Sequence, residues 1–170
     1  MHIYLPNIPR AIVTGMALSM MVLPAAAEAL SSSFSFLVVE TNDDGQQKLV
    51  ERTSVRPGEI IQYQLRHENT SADAMAGIVI AAPVPEGVSL TLGGETASIA
   101  AVFEVQAELD PEQEGLEWST LPAMRLVANA DGTLDKEPLP ETEIASVRWT
   151  FSEPLKAGET ALNTYRVRVD

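Results

Sequence analysis

The sequence predicts an all-β protein, an antiparallel β-sandwich of about 7–9 strands. Apolar and polar residues alternate with a period of two, most regularly after Pro57-Gly58, which places one set of side chains on a buried face. That set is Ile61, Tyr63, Leu65 and His67. Residues that favour turns separate such runs at short intervals, and no long amphipathic helix pattern follows residue 30.

The first half of the chain contains the clearest strand signals. Ser31–Glu40 and Lys48–Val55 are predicted to form a hairpin, because Asn42–Gly45 between them is rich in turn residues and ends on a glycine. After the central strand, Ile78–Ile80 forms a short β-branched run that is stopped by Pro83.

The alternation continues less regularly beyond this point. Val88–Leu92 alternates until Gly93-Gly94, where we expect the strand to end. Ile99–Glu108 and Met124–Ala128 are predicted strands. Lys136–Pro140 contains two prolines, and we expect an extended linker with no regular pairing.

The chain ends in two predicted strands that we expect to pair. Val147–Phe151 and Tyr165–Val169 both alternate, and turn residues from Glu153 to Gly158 separate them. Lys156–Glu159 resembles Arg56–Glu59 in sequence. This indicates that the same type of turn precedes two strands of one domain, rather than a tandem repeat of domains.

Several short motifs resemble those of a known family. They are Pro57-Gly58-Glu59, Tyr63, Asn69, Pro85-Glu86-Gly87, Val147-Arg148-Trp149, Leu155–Glu159 and Tyr165–Val169. In this spacing the chain resembles the bacterial conserved-repeat domain, called domain of unknown function eleven, over most of its length after residue 30. The resemblance is loose between residues 94 and 143. It implies an immunoglobulin-like β-sandwich of exported and surface proteins, and it implies no biochemical activity. His67 and Ala82 depart from the family pattern, which has an apolar and an acidic residue there.

Residues 1–27 have the features of a secretory signal peptide. Arg10 precedes a short apolar segment, Ala11–Leu23, and Pro24–Ala27 supplies an Ala-x-Ala cleavage site. The apolar segment is too short for a comfortable permanent span. We therefore expect cleavage after Ala27 and no permanent membrane span beyond it. The resemblance implies a single immunoglobulin-like domain over residues 28–170.

Composition narrows the classes of partner. The net charge is −13, and removing residues 1–27 takes away one arginine and no acid. Such a surface argues against nucleic acid, anionic lipid or heparin as partners. The chain has no cysteine, which excludes disulfides, a lipid-modified cysteine and thiolate metal sites.

The sequence predicts no catalytic, cofactor-binding or metal site. His67 is the only histidine after residue 27, and a lone histidine cannot supply a triad or a multi-histidine metal site. Asn129–Asp135 places oxygen donors around Gly132 as a calcium loop does, but Val127 and Pro138 occupy the positions of the first and last ligands. We expect a turn there instead.

The acids between Glu108 and Glu117 invite comparison with glycoside hydrolases, which use two carboxyl groups at a set separation in a cleft. No feature of the sequence indicates a cleft around these acids, and such a run is typical of a solvated loop.

Two tryptophans and three arginines complete the candidate residues. Trp149 shares the parity of its apolar neighbours and is predicted to be core, whereas Trp118, with Leu121, is predicted to cover an edge of the core. Arg148, Arg166 and Arg168 are expected to point away from the core and to form a cross-strand ladder with acids.

These observations favour an exported, non-catalytic module of the periplasm or cell surface that binds an envelope or surface protein through strand edges and end loops. The alternative is a carbohydrate-binding module that recognises an envelope glycan with Trp118 and the acidic loop. An enzyme is disfavoured, because the nucleophile, base and oxyanion donors of a catalytic constellation are missing.

Overall fold

Two antiparallel sheets pack face to face in the computed structural model, which describes residues 29–170. The first sheet has the spatial order β2 (Gln47–Val50), β1 (Leu30–Thr41), β3 (Ile60–Asn69), β11 (Thr160–Val169) and β5 (Val88–Ala97). The second has the order β4 (Val79–Pro83), β10 (Ser146–Phe151), β6 (Ala101–Ala107) and β7 (Glu117–Thr120). A separate hairpin of β8 (Met124–Ala128) and β9 (Leu134–Pro138) and one 3-10 turn at Glu141–Glu143 complete the described elements. The prediction of an all-β sandwich is confirmed, and the two main sheets hold a number of strands within the predicted range.

The core lies between the inner faces of the two sheets. Trp149 of β10 is 1 % exposed, and its ring centroid lies 6.1 Å from that of Tyr165 on β11. The Tyr165 hydroxyl donates a hydrogen bond across the core to the carbonyl of Pro83, at 3.0 Å. Burial raises the pKa of Tyr165, so the hydroxyl stays protonated as a donor. Val147 and Phe151 are also buried, which confirms the predicted alternation in β10.

The turns that precede β3 and β11 have the same construction, as the sequence predicts. In each, a glutamate carboxylate accepts a hydrogen bond from the backbone N–H three residues earlier. Glu59 accepts from Arg56 and Glu159 from Lys156, both at 2.8 Å. The Arg56 N–H and the neighbouring Arg52 lower the pKa of Glu59.

The antiparallel pairing of β3 with β11 relates these two turns by a local two-fold. Gly58 N–H donates to the carbonyl of Val169, and Gly158 N–H donates to the carbonyl of Asn69, each at 2.8 Å. Both glycines have positive φ, +85° and +73°, which is why this residue type starts each strand. Each turn therefore ties the start of one strand to the end of the other.

β10 and β11 do not pair, so the predicted C-terminal pair of strands is wrong. β10 pairs with β4 and β6 in the second sheet, whereas β11 pairs with β3 and β5 in the first. The turn at Lys156–Glu159 explains the difference, because its bond to Asn69 starts β11 beside β3.

The predicted unpaired linker at Lys136–Pro140 is also wrong, because Leu134–Pro138 is a strand paired with β8. β9 is largely exposed on both faces, so its sequence carries no apolar alternation. Pro138 is tolerated because it ends the strand.

β5 does not end at Gly93-Gly94 as predicted, but continues to Ala97. Its pairing with β11 is interrupted by an irregularity at this point, where Gly93 has a φ of +83°. A Cβ on Gly94 would lie 2.5 Å from Cδ of Arg166, so any larger residue there would force the Arg166 side chain to move.

β2 ends at Val50 rather than at the predicted Val55. Arg52, just beyond it, forms ion pairs with Glu40 on β1, at 3.3 Å, and with Glu59, at 3.0 Å. These contacts tie the segment after β2 to the start of β3 and leave the rest of β1 without this neighbour.

The predicted signal peptide at residues 1–27 and its cleavage after Ala27 lie outside the described residues. Within residues 29–170, no helix is long and apolar enough to cross a membrane.

Candidate functional site at an open strand edge

The first half of β1 has a neighbouring strand on one side only. β3 pairs with β1 from Leu30 to Val39, whereas β2 pairs only from Val38 to Thr41. From Ser31 to Leu37 the other edge of β1 has no strand beside it in the described part of the chain. In an antiparallel sheet, alternate backbone N–H and C=O groups point to each side, so this edge presents groups that are free to pair with another strand.

An open groove runs along this edge. Its volume is about 830 Å³, and its walls are Phe34, Ser35 and Phe36 on one side and Glu51–Ser54 on the other. The far wall is held by the two ion pairs of Arg52, with Glu40 and Glu59. The groove therefore has one wall of strand edge and one wall of anchored loop.

Aromatic side chains line the inner face of the sheet at this edge. The Phe34 ring centroid lies 5.0 Å from that of Tyr63, and Tyr63 lies 5.1 Å from Tyr165 in the core. Burial falls along β1 towards its start: Val38 is 1 % exposed, Phe36 is half-buried and Phe34 is 59 % exposed. The second sheet thus covers one end of β1 and leaves Phe34 in solvent at the end of a continuous row of rings.

No residue from Ala29 to Val39 is charged, although the chain as a whole carries a net charge of −13. Glu51 lies in the far wall of the groove beside Arg52, which is paired with Glu40 and Glu59. The β1 wall of the groove therefore carries no charge of its own, whereas the far wall carries the Glu51 carboxylate.

Three other sheet edges among the described strands, those of β4, β5 and β7, are protected. β4 is short and ends in Pro83, and β7 is short and begins with Glu117. β5 is bordered by the 3-10 turn, because Leu92 N–H donates to the Glu141 carboxylate at 3.0 Å. Short length, proline, charge and cover are the usual devices that prevent unwanted pairing, and the first half of β1 has none of them.

His67 lies close to this edge, on β3, and its ring contacts a side chain of β1. Its Nδ1 lies 2.8 Å from the Ser32 hydroxyl on the neighbouring strand. Burial lowers the pKa of His67, and its Nε2 is buried without a hydrogen-bond partner within residues 29–170. The ring therefore links β3 to β1.

The calcium-like segment forms a turn that uses its own oxygens. Asp131 Oδ1 accepts hydrogen bonds from the N–H and hydroxyl of Thr133, at 3.0 and 2.6 Å. Asn129 donates to the same hydroxyl. The two hydrogen bonds from Thr133 lower the pKa of Asp131. Within residues 29–170, no group of three or more histidine, aspartate and glutamate side chains is placed to hold a metal ion.

The acidic loop is organised by its own carboxylates. Glu117 accepts hydrogen bonds from the N–H groups of Leu109 and Asp110, at 3.0 and 2.9 Å. Asp110 in turn accepts from Glu112 N–H and from the Gln113 amide. These two side chains hold the shape of the loop rather than converging on a cleft.

Trp118 lies on the outer face of the second sheet, so the prediction that it covers a core edge is wrong. It pairs in register with Gln106, whose neighbours Val105 and Ala107 point inward. The Arg148 guanidinium lies 4.3 Å from the centre of the Trp118 ring and covers one of its faces. A sugar could stack only on the other face.

The predicted cross-strand pairing of arginine with an acid is confirmed for Arg148, but the three arginines form no single ladder, because β10 and β11 belong to different sheets. Arg148 binds Glu104 at 2.7 Å in the second sheet, and this bond lowers the pKa of the carboxyl. Arg166 in the first sheet binds the side-chain amide oxygens of Gln62 and Gln47 instead of acids.

No protein-family model, curated protein or solved structure matches this chain. The open edge of β1 is the candidate binding site of the described structure. Alternation in the sequence does not reveal that Phe34 is exposed, because the pattern gives the face of a residue and not the width of the opposing sheet.

Proposed function

We propose that the protein is an exported, non-catalytic β-sandwich module that binds a protein of the bacterial envelope or cell surface through the open edge of β1. The observation that carries this proposal is the unprotected edge from Ser31 to Leu37 with its groove and its exposed Phe34. Residues 1–27 and the resemblance to the conserved-repeat domain support export.

Strand addition explains how such an edge would bind. Backbone hydrogen bonds to an added strand supply affinity, and pockets for alternate side chains supply specificity. Here the added strand would enter the groove between β1 and Glu51–Ser54, and its inward-facing side chains would meet Phe34 and Phe36. This role needs no titrating or nucleophilic side chain.

Site-specific photo-crosslinking in the native cells tests the proposal. A benzophenone amino acid replaces Ser33 at the open edge or, as control, Val102, which is 47 % exposed on β6 of the other sheet. We expect a discrete adduct with one identified envelope protein, or with the protein itself, from position 33 and not from position 102. Equal labelling at the two positions, or no adduct at position 33, would contradict the proposal.

Export has its own test. The intact mass of the protein recovered from the periplasm or cell surface should correspond to residues 28–170. A mass that retains residues 1–27, or recovery from the cytoplasm alone, would show that the exported part of the proposal is wrong.

A further inference from the structure

We infer that His67 makes the attachment of β1 to β3 depend on pH, so that mild acid releases the first half of β1 and with it the binding edge. This inference rests on the proposed function, because it names a regulation of the same site. At neutral pH the edge would be held in place for its partner, and in acid it would be lost.

The imidazole of His67 has one nitrogen with a partner and one without. Nδ1 lies 2.8 Å from the hydroxyl oxygen of Ser32 on β1, whereas Nε2 is buried and has no hydrogen-bond partner within residues 29–170. A neutral imidazole carries one N–H group, and a protonated imidazole carries two. The protonated ring therefore has a charged N–H group at a buried atom without an acceptor, whichever tautomer the neutral ring adopts.

No charged side chain of the flanking strands lies where it would compensate a protonated His67. In register, His67 faces Ser32 of β1 and Ala161 of β11, and the parts of β1 and β11 around these residues are uncharged. Arg66 and Glu68, its neighbours on β3, point to the opposite face of the sheet and are exposed.

The other described elements at this end of the sheet also leave the ring without a counterion. In the second sheet β4 has no charge, and Glu104 of β6 and Arg148 of β10 bind each other on the outer face. No hydrogen bond or ion pair joins the ring to the charged residues of the segments after β3 and before β11, which are Asp73, Glu153, Lys156 and Glu159. Burial alone therefore lowers the pKa of His67, so the neutral ring is the form that suits the attached strand.

Of the two strands beside His67, β1 is the one that can leave. Within the described residues, Ser31–Leu37 pairs with β3 alone. β11 is held from both sides, because β5 pairs with its other edge and Leu162 exchanges hydrogen bonds with Ser98, at 2.8 and 2.9 Å. Separation of β1 would let water reach the ring and remove the cost of protonation.

The direction of the effect follows from linkage. The pKa of His67 is below its ordinary value of about 6.5 while β1 is attached, and it returns to that value when the ring is in water. Attachment of β1 is therefore strongest above about pH 6.5 and weakens as the pH falls towards the lower pKa of the buried ring. A single proton is taken up, so the equilibrium constant for release rises by at most about tenfold per pH unit.

Hydrogen exchange of the exported protein at about pH 7.5, 6.5 and 5.5 tests the release of β1. The amides of β1 that donate to β3 should lose protection as the pH falls, after correction for the pH dependence of the intrinsic exchange rate. Amides in the pairing of β11 with β5 should keep their protection. Constant protection of β1 across this range would overturn the inference.

His67→Gln assigns the effect to the histidine, because glutamine keeps a polar side chain but does not titrate. Protection of β1 in this variant should not change with pH. The matched control Glu68→Gln removes the neighbouring carboxylate on the exposed face and should leave the pH dependence unchanged. Cooperative melting of both variants at neutral pH would show that they fold. A pH dependence that persists in His67→Gln, or disappears in Glu68→Gln, would overturn the inference.

A second measurement needs no variant, because His67 is the only histidine after residue 27. A nuclear magnetic resonance titration of its imidazole in the exported protein should give a pKa below the ordinary value of about 6.5. A pKa at or above that value would overturn the inference, even where His67→Gln fails to fold.

The photo-crosslink at position 33, repeated in cells at about pH 7.5 and 5.5, separates this inference from the proposed function. We expect the adduct with the partner at the higher pH only, and at both pH values in His67→Gln. An adduct that forms equally well at both pH values with His67 in place leaves the proposed function standing and overturns its regulation. Release of β1 in acid without an adduct at either pH contradicts the proposed function and not the pH dependence of the strand.

Discussion

Two asparagines on the inner face of the first sheet show how differently one residue type can be buried. Asn69 and Asn163 are both 0 % exposed. Asn69 donates to the carbonyls of Asp73 and Leu155, at 2.8 and 2.9 Å, and accepts from the N–H and hydroxyl of Ser71. Neither side-chain polar atom of Asn163 has a hydrogen-bond partner within residues 29–170.

Substitution of each asparagine by leucine, which has a similar shape, should change stability in opposite directions. Asn163→Leu removes unpaired polar atoms and should raise the free energy of unfolding by about 1–3 kcal/mol. Asn69→Leu leaves several buried backbone groups unpaired and should lower it by at least about 2 kcal/mol. Urea denaturation of both variants measures the contrast, and changes of the same sign would contradict it.

The Glu104–Arg148 pair makes the free energy of unfolding depend on pH. The hydrogen bond from Arg148 lowers the pKa of Glu104 in the folded protein. Its stabilising contribution is therefore complete above the ordinary pKa of a glutamate and is lost as the pH falls through the lower, folded value.

Glu104→Gln should lower the free energy of unfolding at pH 7, and the difference from the unmodified protein should shrink at acidic pH. Urea denaturation across the acidic range measures this, with Glu114→Gln in the exposed loop as a control that should show no such trend. A difference that stays constant with pH would contradict the assignment.

At the scale of elements, the repeated turn is the clearest agreement between sequence and structure. Arg56–Glu59 and Lys156–Glu159 match in sequence because each needs a glycine with positive φ and a glutamate that caps the turn. This information is local, so the sequence contains it.

Gly58→Ala and Gly158→Ala should therefore lower the free energy of unfolding by nearly equal amounts. At both positions a Cβ would meet no atom within 4 Å, so the cost comes from the backbone alone. We expect each variant to lose about 1–2 kcal/mol of unfolding free energy in thermal or urea denaturation. A loss at one position only would show that the two turns are not equivalent.

Elements whose placement depends on distant residues could not be predicted. Alternation identifies β3, β10 and β11, because each buries one face. It cannot show that β10 and β11 lie in different sheets, since that follows from the bond between Gly158 and Asn69. It also misses β9, which is a largely exposed ribbon and buries too little to leave a pattern.

At the scale of the whole molecule, the candidate site exists because neither β2 nor the second sheet extends along the first half of β1. β2 ends at Val50, and the second sheet does not reach Phe34. Neither limit is written in the residues of β1, which alternate like those of any half-buried strand. The sequence therefore predicted strand edges as the means of binding, but not which edge is open.

Residue-resolved hydrogen exchange of the exported protein tests the open edge most directly. At about 1 μM, alternate amides between Ser31 and Leu37 should exchange rapidly, while those of the central strand β3 stay protected. Protection of every amide from Ser31 to Leu37 would show that the edge is covered within one chain, and would contradict the assignment of this site.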